Sequence, residues 1–348
     1  MIQQKQLQEK ERGPGLFSRL LRKMDGCDLK IVLSGKTEGD MVLIDNPRDN
    51  VSERFYYYSD SEPVAGCVNL SSKGSYRHNG ILIELIGIIT VTTDGDHKTE
   101  FLRQTKRLEA DTLQGVASLE FEFTAVKEYE SYRGMNARVS YFLRVTILRP
   151  VKNITEQLEL WVGSVNNAMS DTQHDASCHR SYFRETVFGP QSTSMDVGVE
   201  DKLHIEFKYN KTVFHLRERV FGKVTFKLAD MDISNGEISV VRQETVVSPL
   251  GSTEESHAET LQKFEIMDGT PIVGEVVPIR LYLSSIPNLT PTYKSVRKCM
   301  SVRYFLNLVL VTADGRRYFK QHEIMLYRRR GQEPPVLFPA APVAVEAA

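Results

Sequence analysis

The sequence contains no apolar run long enough to cross a bilayer. A membrane-spanning helix needs about 20 consecutive apolar residues, and no part of the 348-residue chain provides them. The first residues, MIQQKQLQEKERGPG, are polar and lack the apolar centre of a secretory signal. We therefore expect the protein to stay in the cytosol.

Cysteine and excess charge of one sign are also scarce. The chain has four cysteines, which lie far apart and form no CxxC pair: Cys27, Cys67, Cys178 and Cys299. In a reducing compartment we interpret them as small buried or loop thiols. The formal net charge is −1, which gives no support to bulk binding of nucleic acid.

Motifs of the common enzyme classes are missing. The sequence has no GxSxG, no HExxH, no P-loop and no GxGxxG between a strand and a helix. The densest group of potential zinc ligands comprises Asp171, His174, Asp175, Cys178 and His179. These residues lie in a Ser- and Asn-rich segment, where we expect little of the rigid support that a zinc site needs. We predict a non-catalytic protein without metal or cofactor, and keep a zinc enzyme centred on 174–179 as an alternative.

Many short apolar runs separated by turn residues make up most of the chain. Residues 203–209 alternate apolar and polar side chains, a period of two that predicts a strand with one buried face. The run VRYFLNLVLV (302–311) is apolar on both faces, which is typical of a central strand. Asp314-Gly315 then indicates a hairpin turn. We predict an all-β fold with at most one short helix, at 101–110.

An internal repeat indicates how the chain is organised. Val-x-Gly-x-Val occurs around Gly66 and again around Gly222, and an Asn-Gly pair follows each at the same interval, ending at Gly80 and Gly236. In each half a tyrosine then precedes an aromatic-rich strand, VSYFLRVTI in the first and VRYFLNLVL in the second. Features in the same order at similar spacing indicate a duplication. We predict two similar β-sandwiches in tandem.

The repeat sets the domain boundaries. We place the first sandwich at 25–163 and the second at 195–330, with a flexible insertion or linker at 164–194. Residues 1–24 and 331–348 are expected to be disordered, because neither segment can bury enough apolar surface to offset its chain entropy.

Sheet edges and loops remain as functional surfaces. Ile266 and Met267 directly precede Asp268-Gly269, a turn sequence that places two large apolar side chains at a loop or strand end. They could anchor a protein partner or simply cap the core, and the residues alone leave both open. The basic cluster 328–330 is interpreted as solvated, or as a short membrane contact.

Several segments of the second half resemble one known family. They are HIEFKYNK (204–211), KFEIMDGTP (263–271), PIRLYL (278–283), SVRYFLNLVLV (301–311) and RRYFKQHEI (316–324). YESYRGMNARVSYFLRVTILR (129–149) extends the likeness into the first half. The segments are similar to the vacuolar protein sorting-associated protein 26 family, arrestin-like subunits of the retromer complex. The resemblance covers about 25–330 and implies two arrestin-like, immunoglobulin-like β-sandwiches.

The resemblance also implies partners. Members of the family form a heterotrimer with the α-solenoid subunit, vacuolar protein sorting-associated protein 35, and with vacuolar protein sorting-associated protein 29. The complex moves transmembrane cargo from endosomes to the Golgi or plasma membrane, together with sorting nexins. This implies a peripheral protein on the cytosolic face of endosomes, in contact with cargo tails but only indirectly with the membrane.

Three sites follow from the resemblance. The solenoid-partner site consists of Ile266, Met267, Asp268 and Gly269. The cargo and sorting-nexin site consists of Met195, Val197, Val199 and Phe319. A PDZ contact is implied at Asp60, although the family's aromatic-Asp-Gly-Glu turn reads Ser59-Asp60-Ser61-Glu62 here.

A signalling arrestin that binds phosphorylated receptor tails is the alternative within the same fold. Such a protein needs an interdomain core of buried opposite charges and basic phosphate-binding residues. The sequence does not place either feature.

Overall fold

The computed structural model describes residues 27–49, 51–124, 127–163, 193–199, 202–248, 254–287 and 289–328. These ranges contain strands β1 to β22, with one-turn 3-10 helices at Glu38–Asp40 and Leu283–Ser285 and no α-helix. The all-β prediction is confirmed. The described chain has no helix of the length and apolarity that spanning a membrane requires.

The first half of the chain forms one pair of sheets. Its strands are β1 (Cys27–Leu33), β2 (Met41–Asn46), β3 (Val51–Ser59), β4 (Val64–Ser72), β5 (Tyr76–His78), β6 (Ile81–Thr92), β7 (Asp96–Leu108), β8 (Asp111–Leu113), β9 (Val116–Phe123), β10 (Tyr132–Arg133), β11 (Ala137–Ile147) and β12 (Ile154–Gly163). One sheet has the order β1-β4-β9 and the other β2-β3-β12-β11-β6-β7, with β10 joined to β11 and a separate β5-β8 ladder.

The second half forms another pair of sheets. Its strands are β13 (Thr193–Val199), β14 (Leu203–Tyr209), β15 (Val213–His215), β16 (Arg219–Ala229), β17 (Ile233–Val247), β18 (Glu254–Asp268), β19 (Val276–Tyr282), β20 (Tyr293–Val296), β21 (Met300–Thr312) and β22 (Arg317–Tyr327). The sheet orders are β13-β14-β16-β19 and β15-β22-β21-β17-β18, with β20 joined to β21.

The two pairs of sheets repeat one topology. The order β1-β4-β9 corresponds to β14-β16-β19, and β3-β12-β11-β6-β7 corresponds to β15-β22-β21-β17-β18. Even the parallel pairings agree, since β3 joins β12 in parallel and β15 joins β22 in parallel. Two tandem sandwiches are therefore confirmed. Relative to this shared pattern, β2 is added to the first sandwich and β13 to the second.

The repeated glycines have a physical reason. A Cβ at Gly66 would approach the carbonyl oxygen of Val32 to 2.2 Å, and one at Gly222 would approach that of Lys208 to 2.6 Å. Each glycine lies in an inner strand of the smaller sheet of its sandwich, where the neighbouring backbone leaves no space for a side chain. The motif thus marks the same close strand approach in each copy.

The prediction of a helix at 101–110 is wrong, because residues 101–108 belong to β7 and pair with β6. The register shifts between Gly87 and Ile88, which interrupts the alternation of inward and outward side chains. Phe101 and Leu102 are therefore both half-buried although they are adjacent. The bulge in this edge strand thus produced a spacing of apolar residues that resembles the spacing in a helix.

The boundaries of the domains stay a prediction. The proposed insertion 164–194 lies outside the described residues except for the first residues of β13, and so do both predicted terminal segments, 1–24 and 331–348.

Candidate functional site

The predicted solenoid-partner site lies at the end of β18, the edge strand of its sheet. Ile266 and Met267 are half-buried and pack against the core. Met267 lies over Gly236, because a Cβ added to Gly236 would lie only 2.7 Å from the Cγ of Met267. Asp268 is exposed, and Gly269 turns the chain with a φ of +90°. The side chains of Ile266 and Met267 therefore pack against the core and are only partly exposed to solvent.

The loop after this turn presents more apolar surface. Ile272 is 73% exposed and Val273 is 61% exposed. The loop is fixed to β16, because the Gly274 amide donates to the Phe226 carbonyl at 2.7 Å and the Phe226 amide donates to the Glu275 carbonyl at 2.9 Å. We call residues 266–276 the docking turn. Ile272 and Val273 were not predicted as site residues, although two apolar residues between the turn residues Gly269, Pro271 and Gly274 were a signal that could have revealed them.

The predicted cargo strand is β13, which forms the edge of the four-stranded sheet. It runs antiparallel to β14, with Val197 opposite Ile205. Met195, Val197 and Val199 occupy alternate positions along it. The side of β13 away from β14 has no partner strand among the described residues. An extended peptide could therefore add to the sheet at this edge.

Phe319, the other predicted cargo residue, lies on β22. It is 68% exposed and opposite Val309 of β21, on the outer face of the larger sheet. The pairing of β22 with β15 covers only Met325–Tyr327, so the preceding part of β22 also has an open edge within the described chain. The Tyr209 and His322 rings meet at 5.2 Å and join β14 to β22. We infer that β13 and the open part of β22 lie on the same side of the second sandwich.

The turn that contains Asp60 is closed by a buried lysine. Lys127 Nζ donates to the carbonyl oxygens of Ser59 at 3.2 Å and of Asp60 at 3.4 Å, and also to that of Glu62. Burial lowers the pKa of Lys127 to about 8. Asp60 itself is only 7% exposed. A PDZ domain that binds this carboxylate would first have to open the turn, so the contact at Asp60 stays a prediction.

A buried ion pair joins the two sandwiches. Arg328 donates to Glu130 through Nε at 3.0 Å and Nη2 at 2.6 Å, and the side chains are 8% and 1% exposed. Burial alone would lower the pKa of Arg328, but the attraction and hydrogen bonds of Glu130 raise it overall. The interpretation of Arg328 as part of a solvated basic cluster or a membrane contact is therefore wrong. Arg329 and Arg330 lie outside the described residues.

Further polar contacts surround this pair. Tyr293 donates its hydroxyl to the Glu130 carbonyl at 3.1 Å, and the Asn136 amide donates to Glu244 Oε1 at 2.5 Å. Burial raises the pKa of Glu244. Gly134 gives this carboxylate its space, because a Cβ there would lie 1.5 Å from Glu244 Oε2. The junction between the sandwiches is thus a polar core that sequence reasoning did not locate.

Comparison with known proteins identifies the family. The family model Vps26, described as vacuolar protein sorting-associated protein 26, matches residues 24–315. The chain belongs to the Vps26 family. Vacuolar protein sorting-associated protein 26 of Caenorhabditis elegans is 38% identical over 309 residues, which cover 87% of this chain and 80% of the relative. The Dictyostelium discoideum protein of the same name is 39% identical over 292 residues, covering 81% and 77%.

A mammalian Vps26 relative is equally similar. Vacuolar protein sorting-associated protein 26B of Mus musculus is 38% identical over 286 residues, which cover 81% of this chain and 79% of the relative. Membership of the Vps26 family confirms the resemblance and the arrestin-like fold. It supports a role in vacuolar protein sorting, which is consistent with association with endosomes.

The zinc alternative receives no support from the described part of this Vps26 chain. Its candidate ligands at 171–179 lie outside the described residues. Within the described ranges, no group of three or more His, Cys, Asp and Glu side chains is arranged to hold a metal ion. Cys27, Cys67 and Cys299 are free thiols. Cys27 is buried, whereas Cys67 is half-buried within β4 rather than in a loop. Cys178 is not described.

Proposed function

We propose that this chain is a non-catalytic subunit of the retromer cargo-sorting complex. In this proposal the docking turn binds the α-solenoid subunit, vacuolar protein sorting-associated protein 35, and vacuolar protein sorting-associated protein 29 completes the heterotrimer. The observation that carries the proposal is the exposed apolar pair Ile272 and Val273 in the loop that follows Ile266 and Met267 at the end of β18. Exposed apolar side chains on a rigid backbone are typical of a protein interface.

The same proposal gives the sheet edges a role in cargo selection. A cargo tail adds to β13 by backbone hydrogen bonds, and Phe319 contributes an apolar contact for the tail or its sorting nexin. The complex then works at the cytosolic face of endosomes in retrograde transport to the Golgi and in recycling. No nucleic acid takes part.

Capture of the purified solenoid subunit tests the docking turn. Ile266→Asp with Met267→Asn should abolish capture, because a charge would enter the interface. Since both residues also touch the core, a second variant is needed in which Ile272→Asp and Val273→Asp alter only exposed positions. It should weaken capture at least tenfold, since hot-spot residues contribute about 2 kcal/mol or more each.

Val116→Asp with Val151→Asp is the matched control, because these valines are 77% and 96% exposed on the first sandwich. This control should bind like the wild type. If both docking-turn variants remain folded by circular dichroism and still capture the subunit normally, the interface assignment is wrong.

Peptide binding tests the cargo edge separately. Phe319→Ala should weaken the binding of a cargo-tail peptide in the presence of a sorting nexin, measured by fluorescence anisotropy. Gln321→Ala is the control, because Gln321 is exposed on the same strand two positions away. Equal affinities of the two variants would remove Phe319 from the site.

The interdomain polar core favours one second candidate, a signalling-type arrestin. The buried pair of Arg328 and Glu130 meets one of its two requirements. Calorimetric titration with matched phosphorylated and unphosphorylated receptor-tail peptides separates the candidates. The retromer proposal predicts no gain from phosphorylation, whereas a phosphate-dependent affinity would favour the arrestin.

A further inference from the structure

The outer face of the four-stranded sheet carries a surface that none of the proposed sites uses. We call it the basic aromatic face, and it consists of Arg219, Phe221, Lys223, Arg280 and Tyr282. All five side chains are exposed, including Phe221 at 41% and Tyr282 at 43%. Strand register places Arg219 opposite Tyr282 and Phe221 opposite Arg280. Cations and aromatic rings therefore alternate across β16 and β19.

Contacts within the face favour this arrangement in the absence of a partner. The Arg219 guanidinium lies 5.9 Å from the Tyr282 ring centre, and that of Arg280 lies 5.8 Å from the Phe221 ring centre. The strands themselves are held by β14 and by buried side chains on the inner face, such as Val220. Because the backbone of the face is held by the sheet, little backbone entropy is lost on binding.

The cations of this face have no carboxylate partners within the described ranges. No ion pair there involves Arg219, Lys223 or Arg280, whereas Lys227 on the same sheet lies 3.5 Å from Asp196 and 3.7 Å from Glu206. The whole chain has a formal net charge of only −1. Positive charge is thus concentrated locally on an otherwise nearly neutral protein, which calls for an anionic partner.

We propose that the basic aromatic face binds the anionic surface of a lipid bilayer directly. Arginine and lysine attract phospholipid headgroups, and aromatic rings are favoured at the depth of those headgroups. The face lies on a continuous sheet and lines neither the cavity beside Trp161 nor the one beside Leu70. A planar partner suits an exposed face of a sheet in which cations and aromatic rings alternate. This goes beyond the proposed function, in which membrane contact is indirect.

Vesicle flotation with the full-length protein tests the proposal. The probes are vesicles of phosphatidylcholine alone and vesicles of phosphatidylcholine and phosphatidylserine at about four to one, chosen because anionic lipid supplies the attraction. The wild type should bind only the second kind, and less at high salt. The variant Arg219→Glu, Lys223→Glu, Arg280→Glu should lose at least about 100-fold in binding, at roughly fivefold for each cation.

The matched control is Lys98→Glu, Arg107→Glu, Lys152→Glu, which changes the net charge equally at exposed positions of the first sandwich. It should bind like the wild type, while Phe221→Ser with Tyr282→Ser should bind more weakly. Equal losses in both charge variants would show bulk attraction and overturn the proposal. Failure of the wild type to bind anionic vesicles would also overturn the proposal. If the wild type then bound polyglutamate, the partner would be an acidic protein and not a membrane.

This test is independent of the retromer proposal. The docking-turn variant Ile272→Asp, Val273→Asp should still bind vesicles, and the triple variant at Arg219, Lys223 and Arg280 should still capture the solenoid subunit. Failure of one proposal therefore leaves a distinct result for the other.

Discussion

The ion pair of Arg328 and Glu130 is a single contact that should contribute strongly to the stability of the fold. Its side chains are nearly inaccessible and come from different sandwiches. Removing one partner of such a pair leaves an uncompensated buried charge. The cost is greater than for an exposed ion pair, whose net contribution is at most about 1 kcal/mol.

We expect Arg328→Met to lower the free energy of unfolding by about 3–5 kcal/mol. Urea denaturation followed by tryptophan fluorescence measures it. Arg303→Met is the control, because its pair with Glu323 is 47% and 43% exposed, and it should cost less than about 1 kcal/mol. Similar losses in the two variants would contradict the role of burial.

Lys127 gives a prediction of pH dependence. Burial lowers the pKa of Lys127 from 10.5 to about 8 in the folded protein. At pH values between these two, the Lys127 side chain binds more protons in the unfolded chain than in the folded protein. The free energy of unfolding should therefore rise with pH over this window, relative to Lys127→Met. Urea titrations between about pH 7.5 and pH 9.5 measure the two slopes. Parallel slopes would mean that Lys127 titrates normally.

Single residues were predictable only where the signal was local. The Asp-Gly turn marked Ile266 and Met267 because all four residues are adjacent. Arg328 and Glu130 are 198 positions apart, and no periodicity relates them. Asp60 was named because the resemblance implies it, but its burial and the hydrogen bond from Lys127, 67 positions away, were not visible in the sequence. Such pairings are fixed only when the sheets assemble.

At the scale of strands, the close approach at the repeated glycines makes a sharp prediction. Gly222→Ala would place a Cβ 2.6 Å from the Lys208 carbonyl oxygen, so β16 and β14 must separate. We expect a loss of at least about 1–3 kcal/mol, as for overpacked cores. Thermal unfolding measures it. Gly74→Ala is the control, because no atom lies within 4 Å of its added Cβ, and its melting temperature should stay near that of the wild type.

The regular strands were predictable from sequence, and the irregular ones were not. The alternating pattern at 203–209 became β14, and the apolar run 302–311 became part of β21, which lies between β17 and β22. The outer face of β21 is less covered than predicted, since Phe305 and Val309 are half-exposed. Segment 101–110 misled because a bulge shifted its register. A one-residue irregularity is invisible to a fixed period.

For the whole molecule, the duplication explains the architecture and the additions explain the asymmetry. In the first sandwich β1 ends the smaller sheet, whereas in the second its counterpart β14 is covered by β13. Among the strands that the structure describes, β13 therefore has no equivalent in the first copy. The repeat was visible in sequence because glycine positions and strand order leave a spaced pattern. The junction was not, because it uses contacts between the copies.

The polar core should make the two sandwiches unfold together. Arg328, Tyr293 and Glu244 each reach across to the first sandwich, so opening one half exposes buried polar groups of the other. Calorimetry of the wild type should show one transition. Arg328→Met combined with Glu244→Gln should split it into two, because the sandwiches lose their shared contacts. Two transitions in the wild type would refute this coupling.

The sequence distance between Arg328 and Glu130 also matters during synthesis. The ribosome makes Glu130 first, and its partner follows 198 residues later. At about 5–20 residues per second, that interval lasts about 10–40 s. The first sandwich must spend this time with a carboxylate that has no guanidinium beside it, so its junction surface has to remain hydrated or be held by a chaperone. The ion pair between the two sandwiches can form only when translation of the second sandwich is nearly finished.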